Sequence, residues 1–120
     1  MSGGIHWMYN VKKDIGESMA KSGRAEYQLG PSLRVGFLVL DAGGYSGEGN
    51  PITKLQVRRA MNHAINRESI ATNLIGGPAK PIHTACNPVV FGCFQDVMKY
   101  EYNPEKAKSL LAEAGYPNGF

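Results

Sequence analysis

A chain of 120 residues, 42% apolar and 19% charged, has the size and composition of one globular domain or part of one, and is too apolar for a disordered tail. A net charge of +3 with a pI near 8.9 is only mildly basic, so it permits nucleic acid without demanding it. No apolar run approaches the ~20 residues that a membrane-crossing helix needs. Met1-Ser2-Gly3-Gly4 lacks the basic head and apolar stretch of a secretion signal, so residues 1–4 read as added or linker residues.

In chain order, Ile5 to Tyr9 (IHWMY) is short, apolar and aromatic and predicts a strand, with Asn10 as the turn after it. Val11, Ile15 and Met19 recur at every fourth position and predict a helix with one apolar stripe. Gly23 ends it, with Lys21 in the last turn. Ala25 to Leu29 predicts a second strand, closed by Gly30-Pro31. Leu33 to Asp41 (LRVGFLVLD) predicts the principal strand. Its Val35, Phe37 and Val39 alternate with Leu38 and Leu40, and apolar residues on both faces imply a central strand covered on both sides. The expected class is therefore α/β, a small sheet with helices packed on it.

The glycine-rich DAGGYSGEGNP has no GxxxxGK[ST] order and no basic residue, which excludes a phosphate loop. Pro51 precedes the next helix, whose apolar face is Val57, Met61, Ala64 and Ile65. Asn66 caps a further helix with Ile70 and Leu74 inside, ended by Gly76-Gly77. Residues 78–102 are irregular and carry Pro78, Pro81, Pro88 and both cysteines. Asn103-Pro104 then starts a helix with Ala107, Leu110, Leu111 and Ala114 on its buried stripe and Gly115 at its end.

Three groups of residues invite a chemical reading. Lys54, Arg58 and Arg59 cluster on the first helix of the pair, and a small basic interaction or nucleic-acid module built on them is the alternative function. A helix-turn-helix reader, however, places its base contacts on the second helix, where Arg67, Glu68, Thr72 and Asn73 carry little excess charge. His63 has Arg59 and Arg67 at four residues either side, which opposes a metal, so it reads as a partly buried helix histidine. In HTACNPVVFGC, a Cys86–Cys93 disulfide is the simplest reading, because Asn87-Pro88 and Gly92 can turn the chain back. Two free thiols, or a zinc set with His83, are the other readings. No nucleophile elbow, HExxH or placed acid–base pair is present, so the chain reads as a binding module, with no cofactor and no metal.

Two long stretches resemble a known family. Pro51-Ile52, Val57-Arg58-Arg59-Ala60, Ala64-Ile65-Asn66-Arg67-Glu68-Ser69-Ile70 and Gly76-Gly77 follow, in order, a signature of the family 5 solute-binding proteins of ABC importers. YNPEKAKSLLAEAGYP, from Tyr102, resembles the family's second motif, and GPSLRVGFLVLD resembles the strand ahead of both. The likeness runs from about Ile5 to the end. Lys54 departs from it, since the family often has a capping Asp there, so the cap must come from Thr53 or be weak.

The resemblance implies a single-domain piece, residues 1–120, from the first part of the second lobe of a type II periplasmic-binding-protein fold. It implies a periplasmic receptor that is not an enzyme, does not insert in the membrane, and passes a peptide-like solute to an ABC permease. Arg58 would be structural. Trp7, Tyr9 and Asn10 match a place where peptide-binding members carry an aromatic-Asn stretch near the ligand; the competing reading makes Trp7 and Tyr9 core strand residues. A truncated lobe would also expose apolar surface and self-associate.

Overall fold

Asparagine caps start some of the helices in this chain and positive-φ glycines follow several of their ends, while other ends carry no side-chain cap. The computed structural model describes residues 4–120, so the linker assignment of residues 1–3 lies outside the described residues. The chain divides into two units, Met1–Gly30 and Pro31–Phe120, each taken by itself below.

The first unit holds helix α1, Lys13–Lys21. It begins after an extended Lys12 without a side-chain cap and ends where Gly23 takes a φ of 69°. The Ser22 hydroxyl helps close it by donating to the Met19 carbonyl at 2.7 Å. The expected apolar stripe is only partly used: Val11 precedes the helix and Ile15 is 49% exposed. The buried position of α1 is Gly16, against which the Tyr27 ring lies; a Cβ at Gly16 would overlap that ring.

The second unit is built around two helices, α2 (Leu55–Ala64) and α4 (Pro104–Glu113), which pack on one another. Val57 and Ala60 from α2 and Ala107 and Ala114 from α4 and its cap are the buried apolar residues at this core. Three of the four are alanines, and small side chains let two helices approach closely. Between them in sequence, α3 (Arg67–Ser69) runs directly into a π-helical stretch, Ile70–Ile75, with Ala71 buried. The predicted second helix of the pair is thus wound more loosely after its first turn. It stops where Gly76 takes a φ of 69°.

Caps follow the sequence signals where asparagine supplies them. Asn66 Oδ1 accepts from the Ser69 N–H at 2.9 Å, and Asn103 Oδ1 accepts from the Lys106 N–H at 2.9 Å. Asn50 caps a single 3₁₀ turn, Pro51–Thr53, just ahead of α2. Helix α2 itself has no side-chain cap: the Thr53 hydroxyl donates to the Asn50 carbonyl instead, at 2.7 Å. The Asn103 N–H donates to the His63 carbonyl at 2.8 Å and ties the start of α4 to the end of α2.

The α/β expectation is overturned. Among the described residues there is no strand and no sheet: residues 5–9, 25–29 and 33–41 all run without a pairing partner. Alternating apolar residues favour extended backbone, but a strand exists only when a neighbouring segment supplies the opposing N–H and C=O groups. Nothing supplies them here. Leu38 and Val39 are 67% and 84% exposed, and Val35 and Leu40 only half-buried, so neither face expected to be covered is packed.

Candidate functional site

The segment before α1 carries the residues singled out for ligand contact. The Trp7 and Tyr9 rings meet with centroids 5.3 Å apart and planes at 35°. Both are exposed, at 78% and 69%. Asn10 follows with a φ of 61°, the left-handed region that asparagine tolerates better than most residues. The chain bends there ahead of α1. Two paired aromatic faces beside an amide can hold an apolar group and hydrogen-bond a polar one.

Cys86 and Cys93 are joined in a disulfide, with Cα atoms 5.7 Å apart. Turns close the ring between them: the Val90 N–H donates to the Asn87 carbonyl at 2.9 Å, the Cys93 N–H to the Val90 carbonyl at 3.1 Å, and Gly92 has a φ of 81°. Both sulfurs being bonded, they cannot serve with His83 as zinc ligands. Among the described residues no group of three potential ligands comes together.

The basic cluster separates into different roles. Arg58 Nη1 donates to the Ile52 and Thr53 carbonyls at 2.9 and 2.7 Å, a structural role as the resemblance implied. Lys54 Nζ donates to the Ala114 carbonyl at 2.8 Å and lies 4.7 Å from the centre of the Tyr116 ring. Arg67 forks onto the Asn62 carbonyl and side-chain oxygen at 3.0 and 2.7 Å. Of the three residues offered for nucleic acid, two therefore hold the protein's own backbone.

His63 is buried, and its Nδ1 lies 2.8 Å from the Glu101 carbonyl. A carbonyl only accepts, so Nδ1 carries the proton and Nε2 is the ring's remaining polar atom. Tyr100 meets the ring edge-on at 5.3 Å.

Two features escaped the sequence reading. Asp41, at the mouth of the glycine-rich loop, accepts from the Ser46 hydroxyl at 2.6 Å, the Ser46 N–H at 2.7 Å, the Tyr45 N–H at 3.0 Å and the Asn50 amide at 3.2 Å. The Ser46 hydroxyl, then the Ser46 and Tyr45 N–H groups and Asn50, hold its pKa down at about 2, against the opposing effect of desolvation. The signal was an Asp followed by glycines, serine and asparagine, which is turn chemistry. The second feature is an open cavity of about 290 Å³ lined by Arg59, His63, Met98, Tyr100, Lys106 and Leu110. Its lining is drawn from three separated stretches, and no local pattern announces it.

Among the described residues the arrangement offers binding surfaces and no cluster of three potential metal ligands. Comparison with known proteins agrees with the first of these. A family model described as bacterial extracellular solute-binding proteins, family 5 Middle, matches residues 1–120. The chain belongs to family 5. Over 76 residues it is 37% identical to heme-binding protein A of Haemophilus influenzae, covering 63% of this chain and 14% of that protein. Over 90 residues it is 36% identical to the dipeptide-binding protein of Escherichia coli K12, covering 75% of this chain and 16% of that protein. Over 119 residues it is 29% identical to the glutathione-binding protein GsiB of Escherichia coli K12, covering 99% of this chain and 22% of that protein. This family 5 chain thus spans about a fifth or less of the length of these relatives. Among its described residues no helix is long and apolar enough to cross a membrane.

Proposed function

We propose that this chain is part of the second lobe of a two-lobed periplasmic receptor that closes on a peptide-like solute and delivers it to an ABC permease. It does no covalent chemistry. The observation that carries this reading is the exposed Trp7–Tyr9 ring pair beside the turn at Asn10. The rings would take an apolar side chain or the face of a peptide group, and Asn10 would hydrogen-bond the ligand's backbone. Two of the relatives, named for a dipeptide and for glutathione, support a peptide-like solute. The Cys86–Cys93 disulfide supports an oxidising compartment. The exposed Phe37, Leu38 and Val39 support self-association of the chain on its own.

A cleft ligand needs both walls, so the chain alone binds weakly. Calorimetric titration with di- and tripeptides tests this, on the chain alone and on a two-lobed receptor that contains it. The expected result is no tight binding by the chain and saturable binding by the receptor, weakened about fivefold or more by Trp7→Ala. Nanomolar binding by the chain alone, or a receptor indifferent to Trp7→Ala, would overturn the reading.

A further inference from the structure

We infer that the cavity between α2 and α4 is a separate binding site for a small organic anion with an apolar body. The argument starts from register. Arg59 and His63 are four apart on α2, and Lys106 and Leu110 are four apart on α4, so each pair forms one line on its helix. The helices pack on one another, and the two lines face a common open space bordered by Met98 and Tyr100 from the segment ahead of α4.

The lining has two characters. Met98, Tyr100 and Leu110 supply apolar surface, and the Tyr100 ring is fixed by its edge-on contact with His63. Arg59 and Lys106 supply two positive charges, and no carboxylate lines the cavity. The ion pairs among the described residues are Lys13–Glu17 and Glu105–Lys108, so neither lining cation is neutralised by an acidic side chain. Arg59 differs in this from Arg58 and Arg67, whose guanidinium groups are bonded to backbone carbonyls. Two unneutralised cations over an apolar floor attract a ligand with one anionic end and one apolar end. The volume, about 290 Å³, sits at the small limit of ligand pockets and suits a monocarboxylate or phosphate monoester with a single ring or short chain. His63 positions the floor through its bond to the Glu101 carbonyl and leaves Nε2 available to the ligand.

The site lies wholly in the second unit and uses none of Trp7, Tyr9 and Asn10, so it stands or falls apart from the peptide reading. The test is a titration of the full chain followed by amide chemical shifts, with phenylacetate, phenyl phosphate, inorganic phosphate and neutral benzyl alcohol as probes. The expected result is saturable shifts from phenylacetate or phenyl phosphate at amides of α2, residues 97–103 and α4. Benzyl alcohol and inorganic phosphate should each bind at least about fivefold more weakly, and Arg59→Gln and Lys106→Gln should each weaken binding about fivefold. Lys108→Gln, whose lysine pairs with Glu105 and does not line the cavity, should change nothing. Absence of saturable shifts, equal binding of inorganic phosphate, or full affinity in the Arg59→Gln, Lys106→Gln double variant would overturn the site. The exposed positions of both cations let these variants keep the wild-type shift pattern without ligand, which the same spectra check.

Discussion

Lys54 and Ala114 stand 60 residues apart in sequence, yet the ammonium of the first donates to the carbonyl of the second at 2.8 Å. Ala114 is the C-cap of α4, where carbonyls lack helical partners and the helix dipole is negative. A cation placed there satisfies one orphan acceptor and gains from the dipole, and the Tyr116 ring beneath it adds a cation–π contact. The same lysine sits at the N-cap of α2, where it supplies no cap. Its role is to join the start of one core helix to the end of the other.

Lys54→Met keeps the stem and removes the charge and its donors. Because the ammonium is partly exposed, the expected loss of stability is about 1 kcal/mol, measured by urea unfolding. Tyr116→Leu should cost a similar or smaller amount, and the double variant should lose less than the sum, since both remove one clamp. A Lys54→Met variant as stable as the wild type would leave the bond without a structural role.

Asp41 sets a pH window for its loop. Its folded pKa, about 2, lies below the ordinary value of 3.8. A depressed carboxylate stabilises the folded loop fully above its ordinary value, and that contribution fades as pH falls through the folded value. The Tyr45 and Ser46 amides, which donate to Asp41, should therefore lose their shifts and protection from about pH 4 downward to about pH 2. Asp41→Asn should abolish this transition and loosen the loop at neutral pH, because an amide nitrogen replaces one acceptor oxygen. An unchanged titration of the two amides in that variant would assign it to another group.

Cys86 and Cys93 should resist alkylation in the native and in the denatured chain until a reductant is added, as read by intact mass. Closing so short a ring contributes roughly 2–3 kcal/mol by the loop-entropy relation. Cys86→Ser with Cys93→Ser should lower stability by up to about that amount and free the segment around Phe91, which is already fully exposed. Immediate alkylation of both thiols would contradict the bond.

Gly16 should show a sign reversal. In an ordinary helix Gly→Ala is favourable by about 1 kcal/mol. Here the new methyl would overlap the Tyr27 ring, and overpacking costs about 1–3 kcal/mol. Gly16→Ala should therefore weaken α1, while the same change in a Tyr27→Ala background should strengthen it, both read by helical circular dichroism on heating. Stabilisation in both backgrounds would show that the ring does not hold the helix.

What could be read from the sequence was local. Asn66, Asn103-Pro104, Gly23, Gly76 and Gly115 carry their meaning in the backbone conformations they favour, and the helix ends lie where they predict. The disulfide was the simplest of its three readings for the same reason, since its ring is short and full of turn residues. Family membership rested on two motifs whose order and spacing need no structure. Tertiary structure decided whatever depends on a partner. Leu33 to Leu40 has the alternation of a central strand, but no ladder forms, because pairing is a property of two segments. The charge of Lys54, Arg58 and Arg59 is visible in sequence, whereas their separation into clamp, staple and open cation follows from distances to Ala114, Ile52 and the α2–α4 cavity. Composition and spacing set which groups a chain has; only packing sets which of them remain unsatisfied, and unsatisfied groups are the ones that bind.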